Sequence, residues 1–126
     1  MWNQLLQNPE FIDSIYEIIP KLNKVRVHSI ELSQDGPVMK IRFDIDILPS
    51  NPPKKWGREY NRIQLALVLI EISNLSLLEW KRDNILTLSF HKKNNGRIAF
   101  SAIGDSCSVS CVCSFLRLDY ISPYLN

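Results

Sequence analysis

Between Met39 and Ile47 apolar and charged positions alternate without a break: Met39-Lys40-Ile41-Arg42-Phe43-Asp44-Ile45-Asp46-Ile47. Side chains of a strand point to opposite faces in turn, so this period of two predicts a strand with one buried face and one wet face. Val25 to Leu32 reads as its hairpin partner across Gln34-Asp35-Gly36-Pro37, and a slip of apolar parity near His28-Ser29 predicts a β-bulge. Ile63 to Ile72 is apolar on both faces, the pattern of a central strand covered on two sides. Ile85 to His91 places Leu86, Leu88 and Phe90 on one face, and Asn94-Asn95-Gly96 supplies hairpin chemistry before a strand from Arg97 to Ile103. A last strand runs from Ser106 to about Tyr120. Its apolar face carries Cys107, Val109, Cys111, Cys113 and Phe115 and then switches to Leu116, Leu118 and Tyr120, so a bend or bulge is expected near Phe115.

One segment has the helical period instead. In Asn8-Pro9-Glu10 the Asn can cap free N–H groups, Pro suits a first helical position and Glu complements the dipole. Phe11, Ile12, Ile15, Ile18 and Ile19 follow at helical spacing until Pro20, predicting a helix over about 9–19 with one apolar face. A helix and then about six strands, with no βαβ alternation, predict an α+β fold: an N-terminal helix packed on a curved, mainly antiparallel sheet. The 126 residues are expected to form a single domain over 1–126, with Leu48-Pro49-Ser50-Asn51-Pro52-Pro53 as an internal loop.

Composition narrows the function by exclusion. A formal charge of +2, from 15 basic and 13 acidic residues, gives no overall field to recruit nucleic acid or a membrane surface, so electrostatic recognition must be local. The start, Met1-Trp2-Asn3-Gln4-Leu5-Leu6, lacks a basic n-region and a sufficient apolar run for a signal peptide, and Leu65 to Ile70 is far short of a membrane span. The three cysteines, Cys107, Cys111 and Cys113, are an odd, clustered set, which suits a reducing compartment such as a cytoplasm.

Each candidate for chemistry has a plainer reading beside it. The cysteines lie along one strand face among serines, without the Gly-containing turn that structural zinc favours, and read as small hydrophobes. His28 and His91, the two candidate bases for a thiol nucleophile, sit in no recognisable motif. Asp44 and Asp46 could share a divalent cation for hydrolysis, but with Lys40 and Arg42 on the same face they read as a solvated charge ladder. Lys54, Lys55, Trp56, Arg58 and Tyr60 interleave bases with aromatics, as single-stranded nucleic acid requires, and Lys92, Lys93 and Arg97 could extend such a surface; the plainer reading is a loop anchored by its Trp. Glu10, Asp13 and Glu17 form an acidic stripe on the helix, either solvated or a dock for a basic partner. No metal or cofactor site is expected.

The ordered inventory of Trp2, the helix ending at Pro20, Pro52-Pro53-x-x-Trp56, the strand Ile63–Ile72, Asn74-Leu75-Ser76-Leu77 through Trp80, and Tyr120-Ile121-Ser122-Pro123-Tyr124 resembles the immunity protein 50 family. That resemblance implies a non-enzymatic, cytoplasmic inhibitor that binds a cognate toxin domain of a bacterial polymorphic toxin system. It carries no catalytic residues over, and it marks Trp2, Trp56 and Trp80 as core or interface positions. The expected toxin contacts are Glu10, Asp13 and Glu17 with the ladder residues Asp44 and Asp46. The basic and aromatic patch Lys54, Lys55, Trp56, Arg58 and Tyr60 is the alternative surface, either for an acidic toxin face or, on the rival reading, for nucleic acid.

Overall fold

A computed structural model describes the whole chain, Met1–Asn126. After a 3-10 turn at Trp2–Leu5 come α1 (Glu10–Ile15), β1 (Val25–Ser33), β2 (Val38–Ile45), β3 (Arg62–Ile70), β4 (Ser73–Leu78), β5 (Asn84–Lys92), β6 (Ile98–Ile103), β7 (Ser108–Cys113) and β8 (Phe115–Tyr124). They form one antiparallel sheet in the order β4-β7-β6-β5-β1-β2-β3-β8.

The two outer members of that order are not independent strands. β4 continues β3 after Glu71-Ile72, and β8 continues β7 after Ser114. Ile70 pairs with Phe115 and Ser73 with Val112, so the ladder holds its register across the bend, with the Ser114 N–H donating to the Ile70 carbonyl at 2.9 Å. With β3–β4 and β7–β8 each counted as one bent strand, six strands each have two neighbours, and the sheet closes into a small barrel. Positive φ at Glu71 (59°) and Asn74 (55°) turns the first of these strands. Arg97 ties the bend: Nη1 donates to Ser73 Oγ at 3.0 Å and Nη2 to the Glu71 carbonyl at 2.5 Å.

The inward rows fill the barrel with Met39, Ile41, Phe43, Ile63, Leu65, Leu67, Leu69 and Phe100, all essentially inaccessible. Trp2, Leu6, Ile12, Ile15 and Tyr16 belong to the same core cluster and cover it from the N-terminal side. The Trp2 indole N–H donates to the Pro20 carbonyl at 2.9 Å. β8 would expose an edge, but the N-terminal segment lies along it. Leu6 bridges Leu116, and the Asn8 side chain both donates to and accepts from the Leu118 main chain at 2.8 and 2.9 Å.

Four expectations change. The fold is mainly β, with 51% of residues in strands, and the helical contribution is too small for an α+β domain with a packed helix. The helix predicted over 9–19 stops at Ile15, because Tyr16 turns extended and buries its ring, donating its hydroxyl to the Ile47 carbonyl at 2.5 Å. The loop then takes up the freed helix end: Asn51 N–H donates to the Ile15 carbonyl, and the Glu17 N–H donates to Ser50 Oγ. Asn8 does not cap the helix, since its amide is spent on β8. Eight strands replace six, because the alternation in β4 is too short to predict a strand and the last predicted strand divides at Ser114. The bulge near His28 is present, as a register shift between Val27 and Ser29, and the hairpin at Asn94–Gly96 joins β5 to β6.

Candidate partner-binding surfaces

Asp44 organises the outer face of β1, β2, β3 and β8. It sits on the outward row of β2 yet is only 3% exposed, because neighbours on three strands close over it. His28 Nε2 lies 2.6 Å from one carboxylate oxygen, the Tyr124 hydroxyl donates to the same oxygen, and Gln64 Nε2 approaches the other at 3.4 Å. Gln64 in turn accepts from the Tyr120 hydroxyl at 2.7 Å, so the network spans the face. Burial, with the Asp44 carboxylate as hydrogen-bond partner, pushes the Tyr124 phenol up to about 12. The expected solvated ladder is therefore corrected at Asp44: this carboxylate is an internal acceptor, because satisfying a buried charge takes several donors.

Asp46 remains exposed and pairs with Arg62. Beyond it opens a cleft of about 270 Å³ lined by Lys21, Lys24, Arg26, Arg62, Asp44 and Asp46 among others, so cations outnumber carboxylates there. Two acids committed to separate partners, one of them buried, do not form a shared cation site. No cluster of three or more His, Cys, Asp or Glu side chains is present anywhere in the fold that could hold a metal ion.

The cysteines line the interior of β7 and its approach, and all three are buried free thiols. Burial pushes Cys111 up to about 12 and Cys113 to about 11, which suppresses the thiolate a nucleophile or zinc ligand requires. His91 is exposed at the end of β5; through Ala99 it is level with Val112, on the outer face of the sheet, whereas the cysteines point inward.

Glu10, Asp13 and Glu17 are exposed as a stripe, although Glu17 lies beyond the helix and Asp13 accepts from the Asn3 amide at 2.8 Å. The alternative patch is their neighbour: Trp56 packs edge-on against Phe11 of α1 and against Tyr60, with ring centroids 6.4 and 6.0 Å apart. Trp56 is thus held as a loop anchor, while Lys54, Lys55 and Arg58 face solvent. Among the tryptophans Trp2 is core, Trp56 half-buried, and Trp80 surface-facing.

The family model for immunity protein 50 matches residues 8–124, nearly the full length. The chain belongs to the immunity protein 50 family. None of the curated proteins and none of the solved structures matches it. For this immunity protein 50 member, the sequence pattern identified the acidic stripe and the basic loop as surfaces but missed two features. His28, Gln64 and Tyr124 were not linked to Asp44, since their meeting depends on strand register across four strands. The exposed apolar row Leu75, Leu77 and Leu78 with Trp80 was also missed; its signal was the Asn74-Leu75-Ser76-Leu77 alternation, too short to read alone.

Proposed function

We propose that this protein neutralises a cognate bacterial toxin domain in the cytoplasm of the producing cell, by binding it and covering its active site or substrate surface. The observation that carries this reading is the match to immunity protein 50 over residues 8–124. The reading calls for an interface of about 1,200–2,000 Å² in total, with charge complementarity steering encounter. Glu10, Asp13, Glu17 and Asp46 are exposed acids suited to a basic toxin surface, and Lys54, Lys55 and Arg58 suit an acidic one. Asp44 enters this scheme through the side chains it holds, His28 and Tyr124, more than by direct contact.

Co-expression with the toxin domain encoded beside this gene is the test. Restored growth and co-purification of the two proteins are expected, and a toxin that still arrests growth beside abundant folded protein would sink the proposal. A Glu10→Lys, Asp13→Lys, Glu17→Lys triple variant is expected to slow association by roughly tenfold at low salt and much less at high salt, as long-range steering is screened. An unchanged association rate would remove the stripe from the interface.

A further inference from the structure

The barrel has one open seam. β1 is paired on its β5 side only through Val25, Arg26 and Val27, and from His28 to Ser33 that edge has no main-chain partner. β4 is paired with β7 alone. At one end the Ile72 N–H donates to the Pro37 carbonyl at 3.1 Å, beside the β1–β2 turn. At the other, Leu77 and Trp80 share a groove of about 340 Å³ with His28, Ser29 and Ile30. β4 therefore passes along the second half of β1 in the opposite direction, with no main-chain hydrogen bond joining them.

Side chains along the seam face inward but are not enclosed. Ile30 pairs with Ile41 and Leu77 with Val109, both of which are fully interior, yet Ile30 is only half-buried and Leu77 is 42% exposed. Leu75, on the same face as Leu77, is 37% exposed. Two free edges flanking an uncovered apolar floor are what remains when one strand is missing from a barrel.

We infer that this seam receives an extended segment of the toxin, which hydrogen-bonds to the free edges of β4 and β1 and lays apolar side chains on Ile30, Leu75 and Leu77. The inference rests on the proposed function. No strand of a second copy can fill the seam without losing its own pairing, because an inserted strand needs both edges free and every strand here already has a neighbour. The chain's own terminal segments are engaged elsewhere, at the edge of β8 and, through Asn126, at Asn61. An extended loop or tail of the partner meets the requirement.

Amide hydrogen exchange on the full chain, free and bound to a catalytically inactive form of the toxin domain encoded beside it, tests this. Free amides along His28–Ser33 and Ser73–Leu78 are expected to slow by more than about tenfold in the complex, together on both edges. Leu77→Glu is expected to weaken binding by at least about tenfold with little change in unfolding temperature, because the residue is already exposed in the free protein; Leu77→Ser serves if the charge perturbs folding. A tight complex that leaves both edges unprotected overturns strand insertion and leaves toxin binding standing. Failure to form any complex overturns both. Protection of β4 alone that grows with concentration, with a dimer in sedimentation, overturns it in favour of self-pairing.

Discussion

Asp44 shows how a single side chain can change character with its surroundings. Alternation places it on the wet face of β2, but His28, Tyr124 and Gln64 arrive from three neighbouring strands and enclose it. Replacing it with alanine strands a histidine and a tyrosine without their acceptor, so Asp44→Ala is expected to cost about 1–3 kcal/mol, read as a lower urea midpoint at constant slope. Unchanged stability would make Asp44 a surface residue after all. Protonated thiols and phenols set the alkaline limit, with burial raising Tyr16 and Cys107 as well as the three groups that follow. Cys113, Cys111 and Tyr124 hold their protons to about 11, 12 and 12, above their ordinary values of 9.0, 9.0 and 10.0. Above those ordinary values the unfolded chain releases protons that the folded one retains, so their contribution is complete below pH 9 and is lost as pH rises toward 12. Equilibrium unfolding across pH 8–12 should show this decline, and a Cys107→Ala, Cys111→Ala, Cys113→Ala variant, which leaves only tyrosines among these groups, should begin it nearer pH 10. That the cysteines are core was legible from their neighbours in sequence. That Asp44 is buried was not, because the residues enclosing it lie 16 to 80 positions away.

At the scale of elements, the readable parts were those whose pattern is set by their own residues. The alternation in β2 and the Asn-Asn-Gly turn both report purely local preferences, and both are found where they were expected. The helix end and β4 depend on distant partners. Loop residues Ser50 and Asn51 satisfy the groups that free α1 to stop early, and the bend into β4 relies on Arg97 from β6 and its preceding turn. Arg97→Ala removes donors from Ser73 and the Glu71 carbonyl at a point where two non-glycine residues hold positive φ. It is expected to destabilise the protein by about 1–3 kcal/mol and to accelerate exchange first in β4, which locates the effect at the bend. Uniform acceleration over the whole sheet would refute that localisation.

For the molecule as a whole, closure is achieved by two bent ribbons, and the three ladders β1–β5, β3–β8 and β4–β7 join residues far apart in sequence. Such topologies pay loop-closure entropy before any reward, so folding is expected on the millisecond-to-second scale, measurable by stopped-flow dilution from denaturant. Microsecond folding would contradict the closed arrangement. The class of fold could be read from the succession of strands; the closure could not, since it depends on the register carried past Glu71-Ile72 and Ser114. The clasp between Asn8 and Leu118 has a consequence for synthesis. Its two halves are separated by 110 positions, a wait of roughly 5–20 s at ordinary rates of translation. Throughout that interval the nascent chain carries an uncovered N-terminal segment with no docking site, and the finished fold can form only when the last strand has left the ribosome.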